Sequence, residues 1–172
     1  LDGTREFIAG RDEYTVNIGL VSNGVPVLGV IYAPANRIIH AGAQGRALRV
    51  ALAPGAKFDA YAAERIRARE RPAELVAAVS RSFLEKRSED FLATLPVASR
   101  LSYGSSVKFT FLAEGKADVY PRFAPICEWD VAAGHALLNA AGGRVEQIDG
   151  APMTYGARDQ KFRFGGFVAW GA

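Results

Sequence analysis

The apolar pattern of this 172-residue chain changes character at Pro72, and that change restricts the fold more than any single residue does. Ahead of Pro72, residues 14–21 alternate as a strand, Asn23-Gly24 supplies a two-residue hairpin signal, and residues 25–32 form the return strand. Residues 38–41 and 47–50 read as two more short strands, with Gly42 and Gly45 between them. Residues 2–50 therefore read as a loop followed by an antiparallel meander. Beyond Pro72 strands and helices alternate. Strand 75–79 precedes a short helix from Ser88 or Glu89 to about Leu95. Strand 99–103 precedes a helix capped by Ser105-Ser106 and stopped at Gly115. Strand 117–122 leads to an alanine-rich helix over 130–141, and strands 144–148 and 166–170 close the sheet. A meander followed by βα alternation implies layers of sheet and helix. Residues 53–74 stay open: alanine and arginine favour a helix over 59–70, while the alternation of 65–69 equally suits an edge strand.

Composition narrows the class of partner. With 49% hydrophobic and 23% charged residues, the chain can bury a proper core. A formal charge of +3, with Lys and Arg scattered among 18 acids, suits a small anionic ligand and no nucleic acid, whose backbone calls for a dense basic stripe. One cysteine, Cys127, excludes an internal disulfide framework and fits a reducing compartment. No run of about 18 apolar residues exists, so no stable membrane insertion is expected.

Two acidic positions 128 residues apart carry the chemistry. In Leu1-Asp2-Gly3-Thr4 a carboxylate precedes unhindered backbone N–H groups and a hydroxyl; in Trp129-Asp130-Val131-Ala132-Ala133-Gly134 a second carboxylate opens a helix of small residues. Alone, Asp2-Gly3 reads as a turn and Asp130 as a helix cap with Trp129 as its staple. Together they meet the needs of a magnesium site, which gathers hard oxygen ligands from separate elements. The small residues behind Asp130 would let its helix pack closely enough to bring the two together. Lys108 follows Ser105 by three residues, which on a helix places both on one side; a solvated lysine is the plain alternative. Arg122 ends a strand, where a guanidinium fork suits phosphate, or is simply a surface arginine. His135 reads as a packed histidine, His40 as a strand residue, and Tyr14, Phe109 and Trp129 as core.

The two motifs resemble the signatures of the inositol monophosphatase superfamily, and within it those of the 3′(2′),5′-bisphosphate nucleotidases. The first signature runs Asp-Pro-Leu-Asp-Gly-Thr, of which Leu1-Asp2-Gly3-Thr4 is the end; the second, Trp-Asp-x-Ala-Ala-Gly, is matched in full by residues 129–134. The likeness continues through Thr4-Arg5-Glu6-Phe7, Leu28-Gly29-Val30-Ile31-Tyr32-Ala33-Pro34, Gly104-Ser105-Ser106-Val107-Lys108-Phe109 and Tyr120-Pro121-Arg122-Phe123. Ser80-Arg81-Ser82 has a counterpart near the nucleotide, but Phe83 stands where related nucleotidases often carry His.

The resemblance implies the layered αβαβα sandwich of the sugar phosphatase fold, an α/β architecture with its N-terminal part missing. Residues 1–73 would be the remainder of an α+β half holding the metal loop and meander, and residues 74–172 an α/β half. The upstream Asp of Asp-Pro and an earlier metal-binding Glu would precede residue 1. The implied activity is magnesium-dependent removal of the 3′-phosphate from adenosine 3′,5′-bisphosphate, with inositol phosphates or sugar bisphosphates as alternative substrates and a non-catalytic fragment as a further one. Two or three Mg²⁺ ions would be held by Asp2, Asp130 and the Leu1 carbonyl. Gly3 and Thr4 would receive the scissile phosphate, and Ser105, Lys108 and Arg122 the rest of the nucleotide. Lithium sensitivity, a cytoplasmic location, a place in sulfur assimilation and a possible homodimer are implied in the same way.

Overall fold

The computed structural model describes residues 1–82 and 84–172. A short helix α1 (Thr4–Ile8) leads into a five-stranded antiparallel sheet of β1 (Val16–Ser22), β2 (Val25–Ala33), β3 (Ile38–Ala43), β4 (Arg46–Ala51) and β5 (Glu64–Ile66), ordered as in sequence. Asn23 and Gly24 both take positive φ (50° and 76°), the backbone a two-residue hairpin requires when its strands carry the usual twist. The ambiguous stretch resolves as a 3₁₀ turn at Ala60–Ala62 and the edge strand β5, with no α-helix. Pairing of Ala47 with Ile66 and Arg49 with Glu64 gives that segment a partner, which outweighs its helix propensity.

The second sheet is mixed. Its strands are β6 (Leu75–Ser80), β7 (Val97–Tyr103), β8 (Val119–Arg122), β10 (Arg144–Glu146) and β12 (Phe167–Trp170), in the order β10-β12-β8-β6-β7. β6 runs parallel to β7 and β8, while β12 is antiparallel to both of its neighbours. Helix α2 (Lys86–Ala93) packs against β8; α3 (Val107–Ala113) and α4 (Glu128–Ala140) touch both sheets. A two-stranded pair of β9 (Ile126–Cys127) and β11 (Arg163–Phe164) flanks the start of α4. The layers therefore run sheet, helix pair, sheet, helix. The outer helical layer of the expected αβαβα order does not occur among the described residues. On that outer face Ile18 and Leu20 stand 61% and 55% exposed.

Small residues decide how close α4 comes to the first sheet. Gly19, Gly29 and Gly42 sit side by side across β1, β2 and β3 in register. A Cβ on Gly29 would lie 2.0 Å from the Ala133 carbonyl oxygen, and one on Gly42 2.7 Å from the Leu137 Cα. On its other side α4 presents Gly134 to Phe109 of α3, where a Cβ would meet the ring at 2.2 Å. Phe109 in turn joins Tyr120 and Phe167 in an aromatic cluster with centroids 5.0–5.4 Å apart. Ala132-Ala133-Gly134 is thus a packing signature, and its consequence is the placement of Asp130 one turn earlier.

Candidate active site

Leu1-Asp2-Gly3-Thr4 is held from both sides. Asp2 exchanges two backbone hydrogen bonds of 2.9 Å with Thr15, and Gly3 turns the chain at φ 85°. A Cβ on Gly3 would lie 2.8 Å from the Glu13 carbonyl oxygen, so both conformation and space require glycine here. The Asp2 carboxylate accepts a hydrogen bond of 2.6 Å from the Ser106 N–H. Ser106 gives its hydroxyl proton to Asn17 Oδ1 (2.7 Å), so Thr15 Oγ1 donates the 2.7 Å bond that reaches Ser106 Oγ. This chain of contacts joins the first motif to the start of α3.

Asp130 reaches the same place from α4. The helix starts at Glu128, with Cys127 as the residue before it, so Asp130 lies inside the first turn and is not the cap. The Glu128 carboxylate accepts hydrogen bonds from Gly156 N–H (2.8 Å) and Ala157 N–H (3.1 Å), tying the start of the helix to the connection between β10 and β11. Trp129 does not join the core as expected; it is 62% exposed, because Asp130 and the small residues set the buried face of this turn. Phe109 is buried as expected, and His135 is a packed histidine joined to the Tyr155 hydroxyl at 3.0 Å.

A cavity of about 480 Å³ unites these elements. Leu1, Asp2, Gly3 and Thr4 line one part of it, and Ser105, Lys108, Arg122 and Asp130 line it too. Every residue nominated from the sequence therefore faces one space. The cavity also takes in Arg5, Glu6, Arg81, Ser82 and Tyr120, none of which was nominated. Arg5 and Glu6 directly follow Asp-Gly-Thr, and that adjacency is the available signal; Ser80-Arg81-Ser82 stands out only through the resemblance. Phe83 lies outside the described residues.

The cations of the cavity differ in what they can offer. Lys108 is no solvated lysine: it is 2% exposed, and burial pushes its ammonium down to about 8, with Arg122 adding to the effect and Asp2 opposing it. Nor do Ser105 and Lys108 share a helix face. Ser105 precedes α3 in the left-handed region (φ 51°), and Lys108 Nζ donates to its carbonyl at 2.5 Å and to that of Tyr103 at 3.1 Å. The Lys108 ammonium also lies 5.0 Å from the Tyr120 ring centroid. Arg122 differs again, because its buried Nε has no hydrogen-bond partner among the described residues. A buried N–H left over in a cavity is costly without an acceptor.

The acids point to a cation. Burial raises the Asp130 carboxyl above the usual range, the charge of Asp2 raises it further, and Arg122 opposes the shift. Two carboxylates that repel one another across a cavity are hard oxygen donors suited to magnesium. No group of three His, Cys, Asp or Glu able to hold a metal occurs among the described residues.

A model of the inositol monophosphatase family matches residues 1–162. The chain is 40% identical over 159 residues to the 3′(2′),5′-bisphosphate nucleotidase CysQ of Escherichia coli K12, an overlap of 92% of this chain and 61% of that protein. It superposes on the crystal structure of CysQ from Bacteroides thetaiotaomicron with a TM-score of 0.89 at 39% identity, covering 99% of this chain and 67% of that one. An inositol monophosphatase from Anabaena gives a TM-score of 0.74 at 27% identity, covering 98% and 66%. The chain thus spans about three fifths of the length of these curated relatives.

Proposed function

This chain belongs to the inositol monophosphatase family, and on that premise we propose that its cavity serves hydrolysis of a small nucleotide, releasing the 3′-phosphate of adenosine 3′,5′-bisphosphate to leave AMP. The observation that carries this reading is the meeting of Asp2 and Asp130, far apart in the sequence, in a cavity that also holds an arginine with an unpartnered buried N–H. Relatives named as 3′(2′),5′-bisphosphate nucleotidases support the choice of substrate.

Magnesium, as two or three ions held in part by Asp2, Asp130 and the Leu1 carbonyl, would supply Lewis acidity and an ionised water when bound. The chain's own contribution is placement. Backbone N–H of Gly3 and the Thr4 hydroxyl would receive the scissile phosphate. The Arg122 fork would take the second phosphate, satisfying its free Nε. Ser105 would hydrogen-bond the nucleotide. Lys108 has spent two of its three N–H donors on carbonyls, which leaves one, with its charge, for the ligand. In the reaction water adds to phosphorus, the bond from phosphorus to the 3′ oxygen breaks, and that oxygen leaves with the electron pair to be protonated. Lithium inhibition, a cytoplasmic location, a place in sulfur assimilation and a homodimer belong to the same proposal. Among the described residues no helix is long and apolar enough to cross a membrane.

Phosphate release from adenosine 3′,5′-bisphosphate and from inositol monophosphate, measured side by side with and without magnesium chloride, tests the reading. Magnesium-dependent release at least tenfold faster from the bisphosphate is expected. Faster release from inositol monophosphate would reassign the substrate, and no release from either by folded protein would reduce the site to ligand binding.

A further inference from the structure

The loop that joins β7 to α3 is held at each end and in its middle by ionised side chains. Ser102 O accepts a hydrogen bond from Arg81 Nη2 at 2.7 Å. Tyr103 O and Ser105 O accept from Lys108, as described above. Gly104 N–H donates to Glu13 Oε2 at 2.6 Å, and Ser106 N–H donates to Asp2. Glu13 also takes the Arg81 guanidinium in a fork, with Nε at 3.0 Å from Oε2 and Nη2 at 2.8 Å from Oε1. One carboxylate, 7% exposed, therefore gathers the end of β6, the β7–α3 loop and the segment that follows the first motif. Gly104 leaves no room for adjustment, since a Cβ there would lie 2.4 Å from the buried Glu6 Cγ, and Glu6 itself accepts from Ser82 Oγ at 2.6 Å.

Such a clamp has a purpose at Ser105. A non-glycine residue at φ 51° is disfavoured and persists only where its surroundings fix it. Arg81 lines the cavity, yet its fork is committed to Glu13 and to a carbonyl, so it is ill suited to gripping a ligand phosphate. We propose that Glu13 and Arg81 are a positioning pair that sets the β7–α3 loop, and with it Ser105, for recognition of the nucleotide. The part of this inference that concerns the ligand rests on the nucleotidase reading; the part that concerns the loop stands on the contacts alone.

Two measurements separate these parts. Glu13→Gln keeps the shape but replaces one acceptor with an N–H₂ that faces other donors. Amide hydrogen exchange on the purified protein should then quicken at Gly104 by about 10- to 100-fold, the loss expected for a hydrogen bond to a charged group, while amides of α4 keep their rates. Arg81→Gln, at a side chain 40% exposed and so tolerant of change, should do the same. The double variant should add little to either single one. Calorimetric titration should show adenosine 3′,5′-bisphosphate weakened at least tenfold in both variants, and inorganic phosphate by less than about threefold. Unchanged Gly104 exchange in folded variants, or equal losses for both ligands, would overturn the proposal. Quickened exchange in a protein that binds no nucleotide would uphold the clamp and refute the nucleotidase reading instead.

Discussion

Gly29→Ala probes the link between packing and the paired carboxylates. The added methyl would lie 2.0 Å from the Ala133 carbonyl oxygen and 2.8 Å from its carbon, both main-chain atoms of α4 that cannot rotate aside. Ordinary contact needs about 3.5 Å, so the helix must retreat by more than about 1 Å at this point. Overpacking of this kind costs about 3 kcal/mol, the upper part of its usual range, because backbone and not a side chain must move. The reduced freedom of the unfolded chain returns about 0.5–1 kcal/mol, leaving a net loss of about 2 kcal/mol. For a domain of this size that lowers Tm by about 4–8 °C. Thermal unfolding followed by circular dichroism reads the effect, with Gly165→Ala as the control because nothing lies within 4 Å of its Cβ position. Since α4 carries Asp130, magnesium titration should weaken alongside. A Tm within 1 °C of the parent (about the precision of the method) would refute the claim that this glycine row sets the depth of α4.

Two further outcomes follow from single residues. Burial pushes the His135 imidazole down to about 4, so the native state holds it neutral while the unfolded chain takes up a proton near 6.5. Its contribution is therefore complete above pH 6.5 and is lost as pH falls toward 4, about 3 kcal/mol in all; denaturant unfolding of His135→Gln should show a shallower pH dependence across that window, and an unchanged slope would exclude His135 as its source. Arg122→Ala should reduce the affinity for adenosine 3′,5′-bisphosphate by at least tenfold and that for a nucleoside monophosphate lacking the second phosphate by much less, measured by competition; equal losses would place Arg122 at the scissile group or in the scaffold.

Much of this molecule is legible along the chain because the deciding physics is local. Alternation over a few residues marks β1, a continuous apolar run marks β6, and Asn23-Gly24 turns the chain from β1 into its return strand β2 because those two residues tolerate positive φ. The two motifs name the acids and the hydroxyl that line the cavity, since hard-ligand chemistry restricts residue types. Residues 64–66 could not be assigned from propensity, because pairing with β4 decides them and pairing is not written in neighbouring residues. The same holds for Lys108, which spacing puts on one helix side with Ser105 and which in the fold is buried with its ammonium on the Tyr103 and Ser105 carbonyls.

Sequence alone determined which side chains could do chemistry here, and which segments would be strand or helix over most of the chain. Only the tertiary structure decided that three glycines on neighbouring strands form one seat for α4, that Glu13 and Arg81 grip the chain on either side of Tyr103 just ahead of Ser105, and that Trp129 faces outward. The reason is distance along the backbone. Sterics and hydrogen bonding act between adjacent residues and leave a readable pattern, whereas close packing joins residues whose separation in sequence carries no trace of their contact.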